Sequence, residues 1–221
     1  MIAAGGEGAR MNSRIPKQFL AINGMPILML AINAFAEAIP SIQLIIVLPP
    51  AQIPTWKSLI GSLRFTVPHR IVEGGSLRFD SVRNGLEKVP DNSLVAIHDG
   101  ARPVVPHQLI RNCFLRAKEQ GCAVPCIHPV ESVRWIEKGM HRPVSREDIR
   151  IVQTPQVFRA VLIKKAYQQP FRESFTDDAT VLEASGHPIH LVEGYRWNIK
   201  ITYPEDLAAA EAVMKSLNIE N

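Results

Sequence analysis

The sequence predicts an α/β fold: a mostly parallel central sheet with helices on both faces. Two observations carry this. Short apolar runs of strand length alternate with helix-period segments along the chain, the order expected of βαβ units. Glycine-rich or Asp-Gly turns then follow several of the strand-like runs, at the ends where open α/β sheets bind ligands.

In chain order, a strand-like start leads into Ala3-Ala4-Gly5-Gly6-Glu7-Gly8-Ala9-Arg10. The segment Pro26 to Ile39 is apolar throughout except for Asn33 and Glu37, and reads as a buried helix. Ile42 to Leu48 is an apolar run stopped by Pro49-Pro50, as expected of a parallel strand buried on both faces. Further strands are expected at Arg70–Glu73, Ser93–Ile97, Cys122–Ile127 and His190–Glu193. Helices are expected at Ser81–Lys88, Pro106–Gln120, Ala160–Gln168, Asp177–Ala184 and Glu205–Leu217.

Two helix starts carry caps. Thr202-Tyr-Pro-Glu205 fits a capping box with Pro204 in the first turn. Thr176-Asp177-Asp178 places acids at the positive end of the next helix, and Gly186 follows its last turn. Residues of about 128 to 150 break the alternation. They are rich in charge and proline, with a Lys138-Gly139 turn signal, and predict a projecting β-arm.

Composition narrows the function classes. At 221 residues, 46% hydrophobic and 21% charged, the chain is neither disordered nor fibrous, and one domain over 1–221 accounts for it. The charge of +4 comes without a basic run or aromatic-basic stripe, so a nucleic-acid partner is not expected. No apolar stretch is long enough to span a bilayer, and no leader-like segment is present, so no membrane partner is expected. The three cysteines, Cys113, Cys122 and Cys126, sit among apolar residues and read as buried thiols in a reducing, cytoplasmic setting.

Three clusters can carry chemistry. In the first, glycines let backbone N–H groups approach a phosphate, and Arg10 and Lys17 supply fixed charge for the same anion. It lacks the Gly-Lys-Ser/Thr of a P-loop, and Met11 stands at the third glycine of a dinucleotide fingerprint. In the second, Gly74-Gly75-Ser-Leu-Arg78-Phe-Asp-Ser81, a glycine pair ends a strand and a hydroxyl opens a helix; it also reads as a plain turn with an N-cap. In the third, His98-Asp99-Gly100-Ala-Arg102-Pro, a carboxylate at the end of a central strand can hold Mg²⁺ on nucleotide phosphates, or simply pair with Arg102. Lys200 lies in an Ile-Lys-Ile context: facing inward it needs an anionic partner, facing outward it is a solvated charge.

These pieces, AAGGEGARM, PKQF, GGSLRFDSV, HDGARP, QTPQVF, TDDA and NIKITYPEDL, span residues 3 to 207. Together they resemble the 2-C-methyl-D-erythritol 4-phosphate cytidylyltransferases of the non-mevalonate isoprenoid pathway. The resemblance implies a Rossmann-like nucleotidyltransferase fold. It also implies a reaction joining CTP to methylerythritol phosphate, with release of pyrophosphate. Ala3, Ala4, Gly5, Gly6 and Gly8 would line the CTP phosphates and base, with Gly75, Ser81 and Gly100 completing the cytidine pocket. Arg10 and Lys17 would stabilise charge at the α-phosphate, and Asp99 would contribute to a Mg²⁺ site. Arg146, Thr176 and Lys200 would position the acceptor. The family pairs as a homodimer through interlocking arms, so Arg146 would serve the neighbouring subunit. Ser76 stands where some members have Asp, and Val133 where some have a Thr that contacts substrate. Two alternatives remain: a ribitol 5-phosphate cytidylyltransferase, and a nucleotide-binding regulatory module without turnover.

Overall fold

The structure is a computed structural model that describes residues 1–6, 11 and 15–217. The strands are β1 (Ile2–Ala3), β2 (Ala21–Ile22), β3 (Met25–Pro26), β4 (Ile45–Leu48), β5 (Arg70–Glu73) and β6 (Leu94–Asp99). They continue as β7 (Cys122–Ile127), β8 (Val133–Glu137), β9 (Met140–Val144), β10 (Ile151–Val152), β11 (Gln156–Arg159) and β12 (Leu191–Glu193). The helices are α1 (Ile27–Ala38), α2 (Ile53–Ser62), α3 (Arg78–Leu86), α4 (His107–Gln120), α5 (Ala160–Ala166), α6 (Asp178–Ala184) and α7 (Pro204–Ser216).

The central part of the sheet is parallel. β1 lies between β6 and β4, with Ala3 opposite both Asp99 and Val47, and β5 follows β4. β11 runs antiparallel between β6 and β7, and β12 joins β7 in parallel. Side chains alternate between the two faces, as period-2 strands require. Ile46, Leu48 and Ala96 pack with α1, α4 and Trp56 of α2, while Ile45, Val47, Val95 and Ile97 pack with α3, α5 and α6. Both faces are therefore covered, which is why the IQLIIVL run is continuous rather than alternating. A smaller cluster seats α7 against Ile22, Ile27 and Ile201.

The structure departs from the sequence reading at several places. Helix α2 was not foreseen, because Pro49-Pro50 reads as a stop; Pro50 instead starts a 3-10 turn that feeds the helix. The residues around Lys200 form no strand. The cap of α7 is shifted by one residue: Asp206, not Glu205, accepts from the backbone N–H groups of Thr202 at 2.7 Å and Tyr203 at 2.8 Å. Ser81 lies inside α3 rather than at its start, where Leu77 is the N-cap. The cap of α6 is as expected, with Asp177 accepting from Thr180 N–H at 2.9 Å.

Strands β8 and β9 form the expected hairpin, with Trp135 opposite Arg142. Its turn places Lys138 and Gly139 at φ of 47° and 81°, the left-handed pair that two-residue hairpins favour. Among the described residues no helix is long and apolar enough to cross a membrane.

Candidate active site

The site sits at the carboxyl ends of β1 and β6, where the chain's direction across the sheet reverses. Its floor is tied by backbone hydrogen bonds. Gly100 N–H donates to Ala3 O at 2.9 Å, and Ala4 N–H donates to Val47 O at 2.9 Å. Gln18, on the 3-10 turn Lys17–Phe19, donates from Nε2 to Ala4 O at 2.8 Å and so fixes this turn beside the glycine loop. Close approach explains the glycines. A Cβ on Gly75 would lie 2.3 Å from the Asp80 Cβ, and one on Gly100 would lie 2.9 Å from the Ala4 Cβ. The Ser81 hydroxyl accepts from Gly75 N–H at 3.1 Å, pinning the turn after β5.

One cleft gathers Ala3, Ala4, Gly5, Gly6, Lys17, Gly75, Ser81, Asp99, Gly100 and Lys200. Gly8 and Arg10 lie outside the described residues. A second cleft adjoins the first and shares Asp99, Lys200 and Arg78 with it; Thr176 lies there, with Asp177, Thr154 and Gln156. Arg146 lines neither cleft of its own chain. It is on the arm side, where Nη1 donates to Val130 O at 2.9 Å.

Asp99 is the electrostatic centre. Lys200 Nζ lies 3.0 Å and Arg102 Nε 3.3 Å from its Oδ2, and Arg78 Nη2 lies 3.7 Å from Oδ1. Burial alone would raise its pKa, but Lys200, Arg78 and Arg102 outweigh that and hold the carboxyl well below the usual carboxylate range. Both readings of this cluster are therefore partly realised: Asp99 is paired with Arg102, and it also lines the cleft. Lys200 has the anionic partner its apolar context required, though its side chain remains 45% exposed. Lys17 Nζ donates to Ile201 O at 3.2 Å, so the same 198–202 segment holds both lysines.

His98 points to the opposite face, fully buried against Phe35. Arg102 O accepts from its Nε2 at 3.1 Å, which leaves Nδ1 to accept from the Thr154 hydroxyl at 3.0 Å. That hydroxyl in turn accepts from Asp99 N–H at 3.1 Å. Burial pushes the His98 pKa down to about 4, so the ring is neutral and acts as a structural strut.

Several contributors were not assigned from sequence. Arg102 was the sequence's alternative partner for Asp99, whereas Arg78 stands within a quoted motif and only folding brings it to Asp99. Asn198, fully buried, donates from Nδ2 to Thr154 O at 2.8 Å and offers its own O to Arg102 Nη1 at 2.8 Å. No periodicity marks such a residue.

The 2-C-methyl-D-erythritol 4-phosphate cytidylyltransferase family model matches residues 1–216. The chain belongs to this family. A relative of that name from Bacteroides fragilis is 48% identical over 214 residues, covering 97% of this chain and 98% of its own. One from Porphyromonas gingivalis is 44% identical, covering 98% and 97%. The crystal structure of the Thermus thermophilus cytidylyltransferase superposes with a TM-score of 0.79 at 31% identity, over 97% of each chain. The Rossmann-like nucleotidyltransferase fold thus agrees with the family's solved members.

The Mg²⁺ expected from the sequence can be weighed against the donor set. Among the described residues no three His, Cys, Asp or Glu side chains form a cation cage. Asp99 does offer one ionised oxygen, Oδ1, that accepts no hydrogen bond from a described residue. One carboxylate oxygen suits a Mg²⁺ whose other ligands are substrate phosphates and water, not a protein-held ion.

Proposed function

We infer that this protein is the cytidylyltransferase that joins CTP and 2-C-methyl-D-erythritol 4-phosphate. The products are 4-diphosphocytidyl-2-C-methyl-D-erythritol and pyrophosphate, for isoprenoid precursor synthesis. The observation that carries the reading is the two adjoining clefts that share Lys200, Arg78 and Asp99, within a chain matched to the family from end to end. The first cleft takes CTP and the second the acceptor.

An oxygen of the acceptor phosphate attacks the α-phosphorus of CTP, a P–O bond forms, and the α–β anhydride bond breaks to release pyrophosphate. The second pKa of a phosphomonoester is about 6, so the nucleophile is already ionised and no general base is needed. That fits a site whose only histidine nearby faces away and is neutral. Lys17, Lys200 and Arg10 offset the charge that builds at the α-phosphate, while the glycine loop aligns the triphosphate. Mg²⁺, carried on the CTP phosphates and touched by Asp99, would neutralise triphosphate charge. Thr176 and Lys200 position the acceptor.

Arg146 lines neither of the two clefts described, which supports a homodimer in which each arm serves the other site. The arm's Trp135, Ile136 and Met140 are 53%, 74% and 74% exposed in the single chain, as an unpartnered contact surface would be. Cys113, Cys122 and Cys126 are all free and buried, which suits a reducing, cytoplasmic setting. The deciding experiment is acceptor-dependent pyrophosphate release from CTP and Mg²⁺. Turnover with methylerythritol phosphate is expected. Turnover with ribitol 5-phosphate alone, or CTP binding without release, would refute the reading.

A further inference from the structure

Asp178 is the fully buried carboxylate that the transfer mechanism leaves unused. It is the first residue of α6 and lines neither cleft, yet its side chain is completely engaged. Arg78 donates to it as a fork, Nη1 to Oδ1 at 2.9 Å and Nη2 to Oδ2 at 2.7 Å. The Tyr167 hydroxyl donates to Oδ1 at 2.6 Å. Asp178 is fully buried while Arg78 keeps 37% of its side chain exposed; breaking the fork leaves the buried carboxylate uncompensated, which is the costly outcome. Burial, with Asp178 beside it, pushes the Tyr167 phenol far up, so it remains a donor.

The partners of this fork are the telling feature. Arg78 is the first residue of α3, whose preceding turn, Gly75 to Leu77, borders the nucleotide cleft. Asp178 follows Thr176 and Asp177, which wall the acceptor cleft. Arg78 itself borders both clefts, and its Nη2 reaches within 3.7 Å of Asp99. A second tie holds the start of α6 to the sheet: Gln156 donates to Asp177 Oδ2 at 2.7 Å and accepts from Ala179 N–H at 2.8 Å. The start of α6 therefore has two anchors. One is the static strand β11, and the other is the helix that carries the nucleotide turn.

We propose that Asp178 and Arg78 are positioning residues that couple the two clefts: the fork transmits the seating of nucleotide against the α3 turn to the Thr176–Asp177 wall of the acceptor site. The proposal rests on the assignment of CTP and acceptor to the two clefts. Charge alone does not suffice for this role. A guanidinium fixes direction through two parallel hydrogen bonds, whereas an ammonium supplies only a point charge.

The test is Arg78→Lys, which keeps the charge and removes the fork, with Asp178→Asn and the double variant beside it. The first readout needs CTP only. Amide hydrogen exchange is followed across residues 176–180 with and without saturating CTP, in the wild type and in Arg78→Lys. Protection on CTP binding in the wild type, lost in the variant, is expected; equal protection in both, or none in either, overturns the coupling. The second readout is kinetic. The acceptor KM should rise on the order of tenfold in Arg78→Lys, while CTP affinity shifts by less than about threefold. The double variant should be no worse than the worse single one, since both remove the same interaction. A lower melting temperature with unchanged KM and kcat would mean a purely structural pair and would refute the proposal. So would additive losses, or a CTP affinity weakened as much as the acceptor KM. If Asp178→Asn does not fold, Arg78→Lys decides alone. A wild type that fails to turn over counts against the proposed reaction, and the exchange experiment still decides the coupling.

Discussion

Asp99 works because three cationic side chains, two of them from distant parts of the chain, meet at its carboxylate. With Lys200, Arg102 and Arg78 around it, the local charge is strongly positive, and a polyphosphate completes the balance. Removing one fixed cation from such a site costs on the order of a hundredfold in rate, about 3 kcal/mol. Lys17→Ala is therefore expected to lose roughly that much turnover with its circular dichroism spectrum intact; near-normal kcat would take Lys17 out of the mechanism. His98 gives a pH test. Its folded-state pKa, about 4, lies below the ordinary 6.5, so the fold favours the neutral ring. That contribution is complete above pH 6.5 and is lost as pH falls through about 4, worth roughly 3 kcal/mol in all. Denaturant melts of metal-free protein should show this decline over that window, and His98→Gln should flatten it. Asp99 acts in the same direction but only below the usual carboxylate range. Asp99 was legible beside its Asp-Gly turn, Lys17 in the Pro-Lys-Gln that follows the glycine loop, and Lys200 as a lone charge in an Ile-Lys-Ile context. The role of Arg78 was not visible, since its partner Asp178 is 100 residues away.

At the scale of elements, the strands and helices with a strong period were legible: α1, α4, α6, β4, β5 and β7 differ from expectation by a few residues at most. Those that rest on tertiary contacts were not. β10 is only two residues long and leans on β7, while β11 begins inside the QTPQVF stretch, whose Pro155 hides a strand that β6 and β7 template from either side. The acids at the start of α6 were legible, though Asp177 is its N-cap rather than its first residue, and it adjoins Thr176, which lines the second cleft. Asp177→Ala should lower stability by about 1 kcal/mol, the usual worth of a lost N-cap. It should also raise the acceptor KM, because Gln156 loses the acceptor of its 2.7 Å hydrogen bond. Urea melts and acceptor titrations measure the two effects separately. Equal stability would show that Thr180 N–H finds another partner.

At the scale of the whole molecule, the proposed dimer makes a composite site. Lys17 belongs to the first cleft of its own chain, while Arg146 lines neither of the two clefts described there. Mixing inactive Lys17→Ala and Arg146→Ala proteins should restore part of the activity, approaching one site in four at full exchange if each site draws on both chains. No recovery at any mixing ratio would place Arg146 outside the neighbouring site. What the sequence determined by itself was the class of fold, the strand ends at which the cleft lies and most of the residues that line it. Those depend on hydrophobic period and on glycine, turn and cap chemistry, all encoded within a few residues. Only the tertiary structure decided that Lys200 and Arg78 join Arg102 at Asp99, which face His98 takes, and that an Arg78–Asp178 fork ties the start of α3 to the start of α6. Pairings between residues far apart in the chain leave no periodic trace, because they depend on how the sheet order brings strand ends together.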